Sequence, residues 1–545
     1  MPPKRPSSPS RDGDSSFKSP ANAQRERSTR AEDGIDERGE FEDQWEDEFE
    51  EEDIAYDNMS DEDDDSHLGE SRETGMEGDV DAMGLANGEE EEKDERLPYL
   101  PGLGQGDKLA EDEELVADLS TYVLLHHARL TWPCLSFDVL RDDLGESRMK
   151  PPHSACIVAG TQADATGGPS SANEVAVMKF DNLSRTKANK DAEDSDDDDD
   201  DESDDGEGGA DEDAVLTYRS IPHNGGVNRI RAQQMPMPYS TPAPQPPNGA
   251  YHVATFSETG KVNIFDIAPH LASLQHPAQF SGTNLNNKPV YSVEAHKGVE
   301  GFALAWSPRL PSSDMTRLLS GDIHSKIYMT NMTESGFQTS SGLPFASHTS
   351  SIEDLQWSPT EKTVFGSVSA DRSMRIWDIR VRDRKSVLAA TDAHDSDINV
   401  MSWNTGASAS YLIITGGDEG GIKVWDLRNM KAGKAGSKNA TPVASFNWHK
   451  EPITSIEWHP TEDSCFAASS ADDSVTLWDL SVEPDEEERQ VQSGREDKTK
   501  DVPPQLLFVH QGQKEIKEVH WHPQVPGMVI ATSLDNFGIF KTISL

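Results

Sequence analysis

The sequence predicts an all-β protein built from a repeated unit of short strands, and residues 348–380 show the unit most clearly. Three short apolar runs follow one another at 352–357, 364–369 and 374–379. A Ser-Pro pair ends the first run, and a tight turn at 370–373 separates the second run from the third. Because one small sheet cannot cover its own apolar faces, the unit requires similar units on both sides.

Copies of this unit recur along the chain. In each copy a His precedes the first strand, a Trp ends that strand in most copies, and the third strand closes on Trp-Asp or another aromatic residue. The histidines that open the units are His223, His296, His348, His394, His449 and His510. A less regular unit extends from 126 to 221, which brings the expected number of units to seven.

These units resemble WD repeats, and a ring of WD repeats is a β-propeller. In that family a His, an Asp in the turn after the second strand, a hydroxyl on the second strand and the Trp of the third strand form a buried network. The resemblance assigns this structural role to His348, Asp371, Trp377, His449, Asp472, Trp478, His394 and Trp425. Glu419 takes the Asp position of the His394 unit, and Tyr328, Phe265 and Phe540 replace the Trp in three other units.

The composition points to a basic protein partner. A net charge of -51 and a pI near 4.5 should repel nucleic acid and anionic membranes and attract strongly basic proteins. The three cysteines are isolated, which favours a reducing intracellular compartment over a disulfide framework or a zinc site. The polar amino terminus and the lack of long apolar runs predict no signal peptide and no membrane span.

Charge patterning divides the chain into three regions. Residues 1–96 are expected to form a disordered acidic tail, because they carry too much like charge and too little apolar surface to fold. Residues 97–120 should form a linker and a short helix with Glu113 and Glu114 near its start. Residues 121–545 then form the propeller.

The propeller is expected to close with strands from both ends of the chain. The segment TYVLLHHARLTWPCLSFDVLRD, which begins at Thr121, resembles the amino-terminal part of histone-binding WD-repeat proteins. That resemblance implies that the strand at Tyr122 completes the last sheet, which residues 521–544 leave one strand short. Closure of this kind removes two exposed sheet edges.

An acidic insertion at 191–213 interrupts the first unit and contains no Lys or Arg. We expect it to contact a basic client, together with Glu113 and Glu114, through Asp196, Asp197, Asp198, Asp199, Asp200, Asp201 and Glu202. Calcium is the rival ligand, but the run lacks the Gly-punctuated spacing of an EF-hand. The residues Ser60, Ser195 and Ser203 precede acidic residues and are candidate sites for an acid-directed kinase.

No sequence motif for catalysis, a cofactor or a metal is found. There is no nucleophile elbow, HExxH or Walker-type loop, and the histidines recur at structural positions of the repeat. The sequence therefore predicts a monomeric, non-enzymatic binding protein without a cofactor.

The whole arrangement resembles the glutamate-rich WD-repeat family. That resemblance implies a ribosome biogenesis factor of the nucleus and nucleolus, also present in the cytoplasm. It would capture the third protein of the large ribosomal subunit and meet pre-ribosomal particles indirectly, without binding nucleic acid itself. Two alternatives stay open: a histone chaperone or chromatin-complex subunit, and a substrate receptor of a cullin-type ubiquitin ligase. The second rests on the WDxR sequences that end in Arg380 and Arg428.

Overall fold

The computed structural model describes residues 117–163, 173–186, 213–234, 249–280, 282, 284–308, 315–340, 342–430, 440–483, 502–534 and 537–544. All of these residues belong to one compact unit, Asp94–Leu545. The predicted acidic tail, most of the predicted linker with its helix, and residues 191–212 of the acidic insertion lie outside the described residues.

Within the described residues, twenty-eight strands form seven four-stranded antiparallel sheets, and the fold is the predicted seven-bladed β-propeller. The first described strand is β1 (Tyr122–Ala128). Blade 1 contains β2 (Cys134–Leu140), β3 (His153–Thr161), β4 (Glu174–Leu183) and β5 (Val215–Pro222). Blade 2 contains β6 (Val227–Ala232), β7 (His252–Ser257), β8 (Val262–Asp266) and β9 (Tyr291–Val293). Blade 3 contains β10 (Ala303–Trp306), β11 (Arg317–Gly321), β12 (Ile327–Thr333) and β13 (Gly336–Thr339).

The second half of the ring repeats this arrangement. Blade 4 contains β14 (Ile352–Trp357), β15 (Val364–Ser369), β16 (Met374–Asp378) and β17 (Leu388–Ala390). Blade 5 contains β18 (Ile398–Trp403), β19 (Leu412–Gly417), β20 (Ile422–Asp426) and β21 (Ala444–Phe446). Blade 6 contains β22 (Ile453–Trp458), β23 (Cys465–Ser470), β24 (Val475–Asp479) and β25 (Leu506–His510). Blade 7 contains β26 (Glu518–Trp521), β27 (Met528–Thr532) and β28 (Phe537–Thr542).

Blade 7 takes its outer strand from the other end of the chain, as the sequence predicts. β1 pairs antiparallel with β28, in a register that runs from Tyr122 opposite Thr542 to Ala128 opposite Phe537. The first strands of blades 7 and 1 also contact each other, so the ring is closed. Because β1 and β28 pair with each other, neither of these two strands is left unpaired, and blade 7 has four strands like the other blades.

Aromatic side chains fill the space between neighbouring blades in a repeated way. The Phe365 and Trp377 rings stack nearly parallel, with centroids 5.8 Å apart, and Phe345 meets both rings edge-on. Phe466 and Trp478 repeat this stack at 5.8 Å in blade 6. Removing each such side chain from water contributes about 1.5–3 kcal/mol, which explains why one unit requires a neighbour.

The two faces of the ring carry different connections. The histidine face holds the links from one blade to the next and the turns between second and third strands. The insertion face holds the links between first and second strands and between third and fourth strands. Blade 1 differs from the regular pattern in sequence length, because twelve residues, 162–173, separate its second and third strands, and residues 164–172 of them lie outside the described residues.

The described helical segments lie at three places, one of which is a 3-10 turn at Leu427–Asn429 directly after β20. The α-helix α1 (Ala268–Gln275) packs against β4 and β5 with Leu271 and Leu274 buried, in a region that the sequence indicates only as a loop. A single 3-10 turn at Leu119–Thr121 leads into β1, and the Asp118 carboxylate caps it by accepting the Ser120 N–H at 3.0 Å.

Candidate functional site

Each regular blade holds a polar network beneath the histidine face. In blade 4, His348 Nδ1 lies 2.9 Å from Asp371 Oδ2, and its Nε2 lies 2.7 Å from Ser367 Oγ. The Trp377 indole N–H donates to the same hydroxyl at 2.8 Å. Burial would raise the pKa of Asp371, but the hydrogen bond from His348 holds it well below its usual range. The network therefore ties the turn before β16 to the link that opens the blade.

Blade 5 builds the same network with a longer acid. His394 Nδ1 lies 2.5 Å from Glu419 Oε1, and its Nε2 lies 2.7 Å from Thr415 Oγ1, which accepts the Trp425 indole N–H at 2.9 Å. The extra methylene of Glu419 lets its carboxylate reach the imidazole from the turn. The neighbouring Asp418 is exposed and instead accepts a hydrogen bond from the side-chain amide of Asn399, on the first strand, at 2.7 Å.

In blade 6 the network differs in one detail from the pattern that the sequence resemblance predicts. His449 Nδ1 lies 2.7 Å from Asp472 Oδ2, and its Nε2 lies 2.9 Å from Thr476 Oγ1. Thr476 also accepts the Trp478 indole N–H at 2.8 Å. Thr476 stands on the third strand, whereas the family pattern places the hydroxyl on the second. Ala468 of the second strand stands opposite Thr476, so the hydroxyl comes from across the ladder.

Blades without the Trp use other groups to hold the opening His. In blade 3, His296 contacts Asp322 Oδ2 at 2.8 Å and Ser320 Oγ at 2.7 Å, with the Tyr328 ring edge-on to the imidazole. In blade 7, the Tyr122 hydroxyl from β1 lies 2.8 Å from His510 Nδ1. The closing strand therefore supplies the polar contact for the last blade, which the sequence alone does not reveal.

A buried charge network lines the centre of the ring, where the first strands converge. Glu518 is fully buried, and its Oε1 lies 2.6 Å from Arg231 Nη2 and 2.8 Å from Arg229 Nη1. Its Oε2 accepts the Phe137 N–H at 2.7 Å. Burial would raise the pKa of Glu518, but the two guanidiniums and His520 hold it well below its usual value. One carboxylate thereby joins blades 7, 1 and 2.

Neighbouring first strands are linked by the same device, in which a side-chain oxygen accepts a backbone N–H of the next blade. Asp138 Oδ2 accepts the Ala232 N–H at 2.7 Å, and Asp354 Oδ2 accepts the Met401 N–H at 3.1 Å. Glu457 accepts the Trp521 N–H at 2.8 Å. The centre of the ring is therefore rigid and hydrogen-bonded.

The histidine face is acidic in the part of the chain that the structure describes. Its exposed carboxylates belong to Glu258, Glu294, Asp392, Asp395, Asp418, Glu451 and Glu515. They outnumber the exposed cations of the same face, which are Lys261, Lys297, Arg372, Lys450 and Lys514. Burial and the negative charges of Asp397 and Asp418 raise the pKa of Glu353, the second residue of β14. A cation placed beside these carboxylates would relieve that repulsion.

The WDxR arginines fold back onto their own strands. Arg380 Nη2 lies 2.6 Å from Asp378 Oδ2, and Arg428 Nη2 lies 2.7 Å from Asp426 Oδ2. The Arg428 guanidinium also covers the Tyr411 ring, with 3.3 Å between its Cζ and the ring centroid. Both side chains remain mostly exposed, at 69% and 62%.

The described residues offer little that could perform chemistry. Cys134, Cys156 and Cys465 are free and buried, and burial raises the pKa of each thiol. Within the described ranges, no group of three metal-ligating side chains could hold an ion. The same ranges contain no helix with the length and apolarity needed to cross a membrane.

Comparison with known proteins places the chain in a family. Residues 340–378, 385–426 and 440–479 match the WD domain, G-beta repeat. Residues 112–184 match the family of the histone-binding protein RBBP4, whose description also covers a component of the CAF1 complex. The chain is 40% identical over 439 residues to glutamate-rich WD repeat-containing protein 1 of Dictyostelium discoideum, covering 80% of this chain and 83% of that protein. The chain belongs to the glutamate-rich WD-repeat family.

Two other relatives are similar over most of their length. Ribosome assembly protein rrb1 of Schizosaccharomyces pombe is 43% identical over 516 residues, which is 94% of this chain and 95% of that protein. Protein HEAT STRESS TOLERANT DWD 1 of Arabidopsis thaliana is 41% identical over 464 residues, which is 82% of this chain and 91% of that protein.

For this member of the glutamate-rich WD-repeat family, the acidic residues expected to hold a client lie outside the described residues. They are Glu113, Glu114, Asp196, Asp197, Asp198, Asp199, Asp200, Asp201 and Glu202. The candidate phosphorylation sites Ser60, Ser195 and Ser203 lie outside as well. The acidic histidine face escaped sequence reasoning, since its carboxylates come from separate links and turns that only the closed ring brings to one side.

Proposed function

We propose that this protein is a ribosome-assembly chaperone, which binds a strongly basic protein of the large ribosomal subunit, shields it and escorts it to the nucleolus. The similarity to ribosome assembly protein rrb1, which extends over nearly the whole of both chains, carries this proposal. The third protein of the large subunit is the client that the family resemblance implies. The protein would act in the nucleus and nucleolus and also occur in the cytoplasm.

The charge distribution supports a basic client. The chain carries a net charge of -51, and the histidine face adds an acidic surface to the acidic tail and insertion. Each exposed ion pair contributes only about 0–1 kcal/mol, so affinity must come from many pairs together with a specific contact on the ring. The rigid centre of the propeller keeps the acidic links of the histidine face in fixed positions, which lowers the entropic cost of such a contact.

The proposed mechanism is temporary charge screening. Acidic segments cover cationic surface that would otherwise bind nucleic acid without specificity. At the assembling particle, RNA has the higher charge density and takes over that surface, so the chaperone is released without binding RNA itself. No covalent chemistry is needed.

A histone client is the second candidate, because residues 112–184 match the histone-binding family. Core histones share the basic character of ribosomal proteins, and the same electrostatic surface would attract them. The specific contact, rather than the charge, must therefore distinguish the two clients.

A direct binding experiment separates these candidates. The purified full chain is titrated with the purified third protein of the large subunit, with core histone dimers and with a ubiquitin-ligase adaptor at about 0.15 M salt. The same titrations are repeated with a variant in which an uncharged Gly/Ser segment of equal length replaces residues 191–213. We expect the ribosomal protein to bind most tightly, and its Kd to rise by about ten-fold or more in the variant and at high salt.

Three other results would count against the proposal or a part of it. Tighter binding of histones than of the ribosomal protein would favour the second candidate. Failure to bind either basic protein would end the proposal, and a salt-independent complex would refute the electrostatic part of the mechanism.

A further inference from the structure

One loop of the insertion face is held firmly against the ring by hydrogen bonds. This loop, residues 141–152, joins β2 to β3 and is clamped by Gln524 of blade 7. The Gln524 side chain accepts the Asp142 N–H at 2.9 Å and donates to the Asp142 carbonyl at 3.0 Å and the Gly145 carbonyl at 3.2 Å. The Gln524 carbonyl accepts the Arg148 N–H at 2.9 Å. The loop therefore presents its outer side chains in fixed positions.

Two large apolar side chains of this rigid loop point into solvent. Leu144 is 58% exposed and Met149 is 63% exposed. Together with Arg148, Lys150 and three further residues of the loop and β3, they line an open groove; the further residues are Pro152, His153 and Ser154. Exposed apolar side chains on a preorganised surface are typical of protein contacts.

Two cationic side chains, those of Arg148 and Lys150, line the groove. None of its lining residues is a carboxylate. Of the three carboxylates of the loop, Asp142 pairs with Arg148 of the groove lining at 2.9 Å and Glu146 pairs with Arg141 at 2.6 Å. The third, Asp143, is exposed, accepts a hydrogen bond from Gln275 Nε2 at 3.5 Å and does not line the groove. Burial and the positive charges of Lys541, Arg148 and Arg185 lower the pKa of His153 to about 4. Like charges gathered at one place favour an anionic ligand.

We propose that this groove binds an acidic segment of a partner protein, in which a bulky apolar side chain is flanked by carboxylates. The apolar side chain would contact Leu144 and Met149, and a flanking carboxylate would contact the exposed Lys150. This partner differs from the basic client of the proposed function, and its site does not include the histidine face.

The apolar part of the groove favours a peptide over nucleic acid. A phosphate backbone would use the cations but would leave Leu144 and Met149 without a partner, and within the groove lining there is no aromatic side chain other than His153 to stack on a base. A peptide that alternates carboxylates with apolar residues satisfies both kinds of contact.

The proposal can be tested by fluorescence anisotropy with the full chain at about 0.15 M salt, where long-range repulsion is screened. The probe is a fluorescein-labelled synthetic peptide in which Phe and Leu alternate with pairs of Glu. A peptide with Ser in place of Phe and Leu and a labelled oligouridylate serve as comparison ligands. The test variants are Lys150→Glu and Met149→Ser. Lys297→Glu on the histidine face is the matched control, because it changes the net charge equally at an exposed lysine.

We expect the acidic–apolar probe to bind the wild-type chain and the Lys297→Glu control with affinities within about two-fold of each other. Lys150→Glu and Met149→Ser should each weaken the probe about five-fold or more, the first through charge and the second through lost apolar contact. All three substitutions are at exposed positions, and circular dichroism should show an unchanged fold.

Four results would overturn the proposal. The first is that the probe does not bind. The second is that Lys150→Glu and Lys297→Glu change the affinity for the probe equally. The third is that Met149→Ser leaves this affinity unchanged while oligouridylate binds as tightly as the probe. The fourth is binding only to a variant that lacks residues 191–212, which would make the chain's own acidic segment the occupant. None of these results bears on whether a basic client binds, so the two proposals fail separately.

Discussion

Glu518 offers the sharpest test of how the ring is held together. Replacing it by Gln keeps the shape of the side chain but removes the charge that faces Arg229, Arg231 and His520 in the buried centre. Removing one partner of a buried ion pair costs about 3–5 kcal/mol, because the remaining charges are left uncompensated. We expect about 3 kcal/mol for Glu518→Gln, since other carboxylates still act on Arg231. The total stability of a domain is only about 5–15 kcal/mol, so this loss is large.

Urea unfolding followed by circular dichroism measures this loss. With a slope of about 3 kcal/mol per M, the midpoint should fall by about 1 M at neutral pH. Glu515→Gln is the matched control, because Glu515 is exposed and pairs with the partly exposed Lys517 at 3.1 Å. Its effect should stay within about 0.5 kcal/mol. A Glu518→Gln midpoint indistinguishable from that of the control would refute the idea that this carboxylate joins three blades.

Three further changes probe the polar networks. Burial would raise the pKa of Glu419, but hydrogen bonds, above all the one with His394, lower it from 4.5 to about 2. The contribution of Glu419 to the stability of the fold is therefore present above pH 4.5 and is lost as the pH falls through about 2. In Glu419→Gln the urea midpoint should depend less on pH across that window, and a pH profile identical to that of the wild type would contradict this. Trp377→Phe should cost about 1 kcal/mol by removing the indole donor, and it should lose that effect in a Ser367→Ala background; additive effects in the double variant would mean that the two groups act independently. Tyr122→Phe should likewise cost about 1 kcal/mol through the lost contact with His510, and an unchanged unfolding midpoint would show that this contact adds nothing to closure.

The repeat and its strands could be predicted from sequence because the signals are local. The Trp-Asp at 377–378 closes a short alternating run, and a turn signal precedes it within the same unit. The structure places β16 at Met374–Asp378, within one residue of the expected strand. The pairing of β1 with β28 was accessible only through resemblance, since no local pattern connects Tyr122 with Thr542.

The remaining features depend on contacts between distant residues. Arg229, Arg231 and Glu518 read as ordinary charged residues of separate strands, and only the closed ring brings them together. The helix α1 was missed because the short segment Ala268–Gln275 shows no clear apolar stripe, and packing against blade 1 stabilises it instead. The hydroxyl of Thr476 takes a role expected on the second strand, because a ladder brings residues of two strands equally close to the imidazole.

The pairing of β1 with β28 also sets an order for biosynthesis. β1 leaves the ribosome first, yet its partner strand follows only about 400 residues later. At translation rates of about 5–20 residues per second, the nascent chain carries this unpaired strand for roughly 20 to 80 seconds. During that interval Leu124, which is fully buried in the finished ring, has no native cover. The chain would thus pass through a vulnerable state during synthesis, and the emergence of β28 (Phe537–Thr542) decides when that state ends.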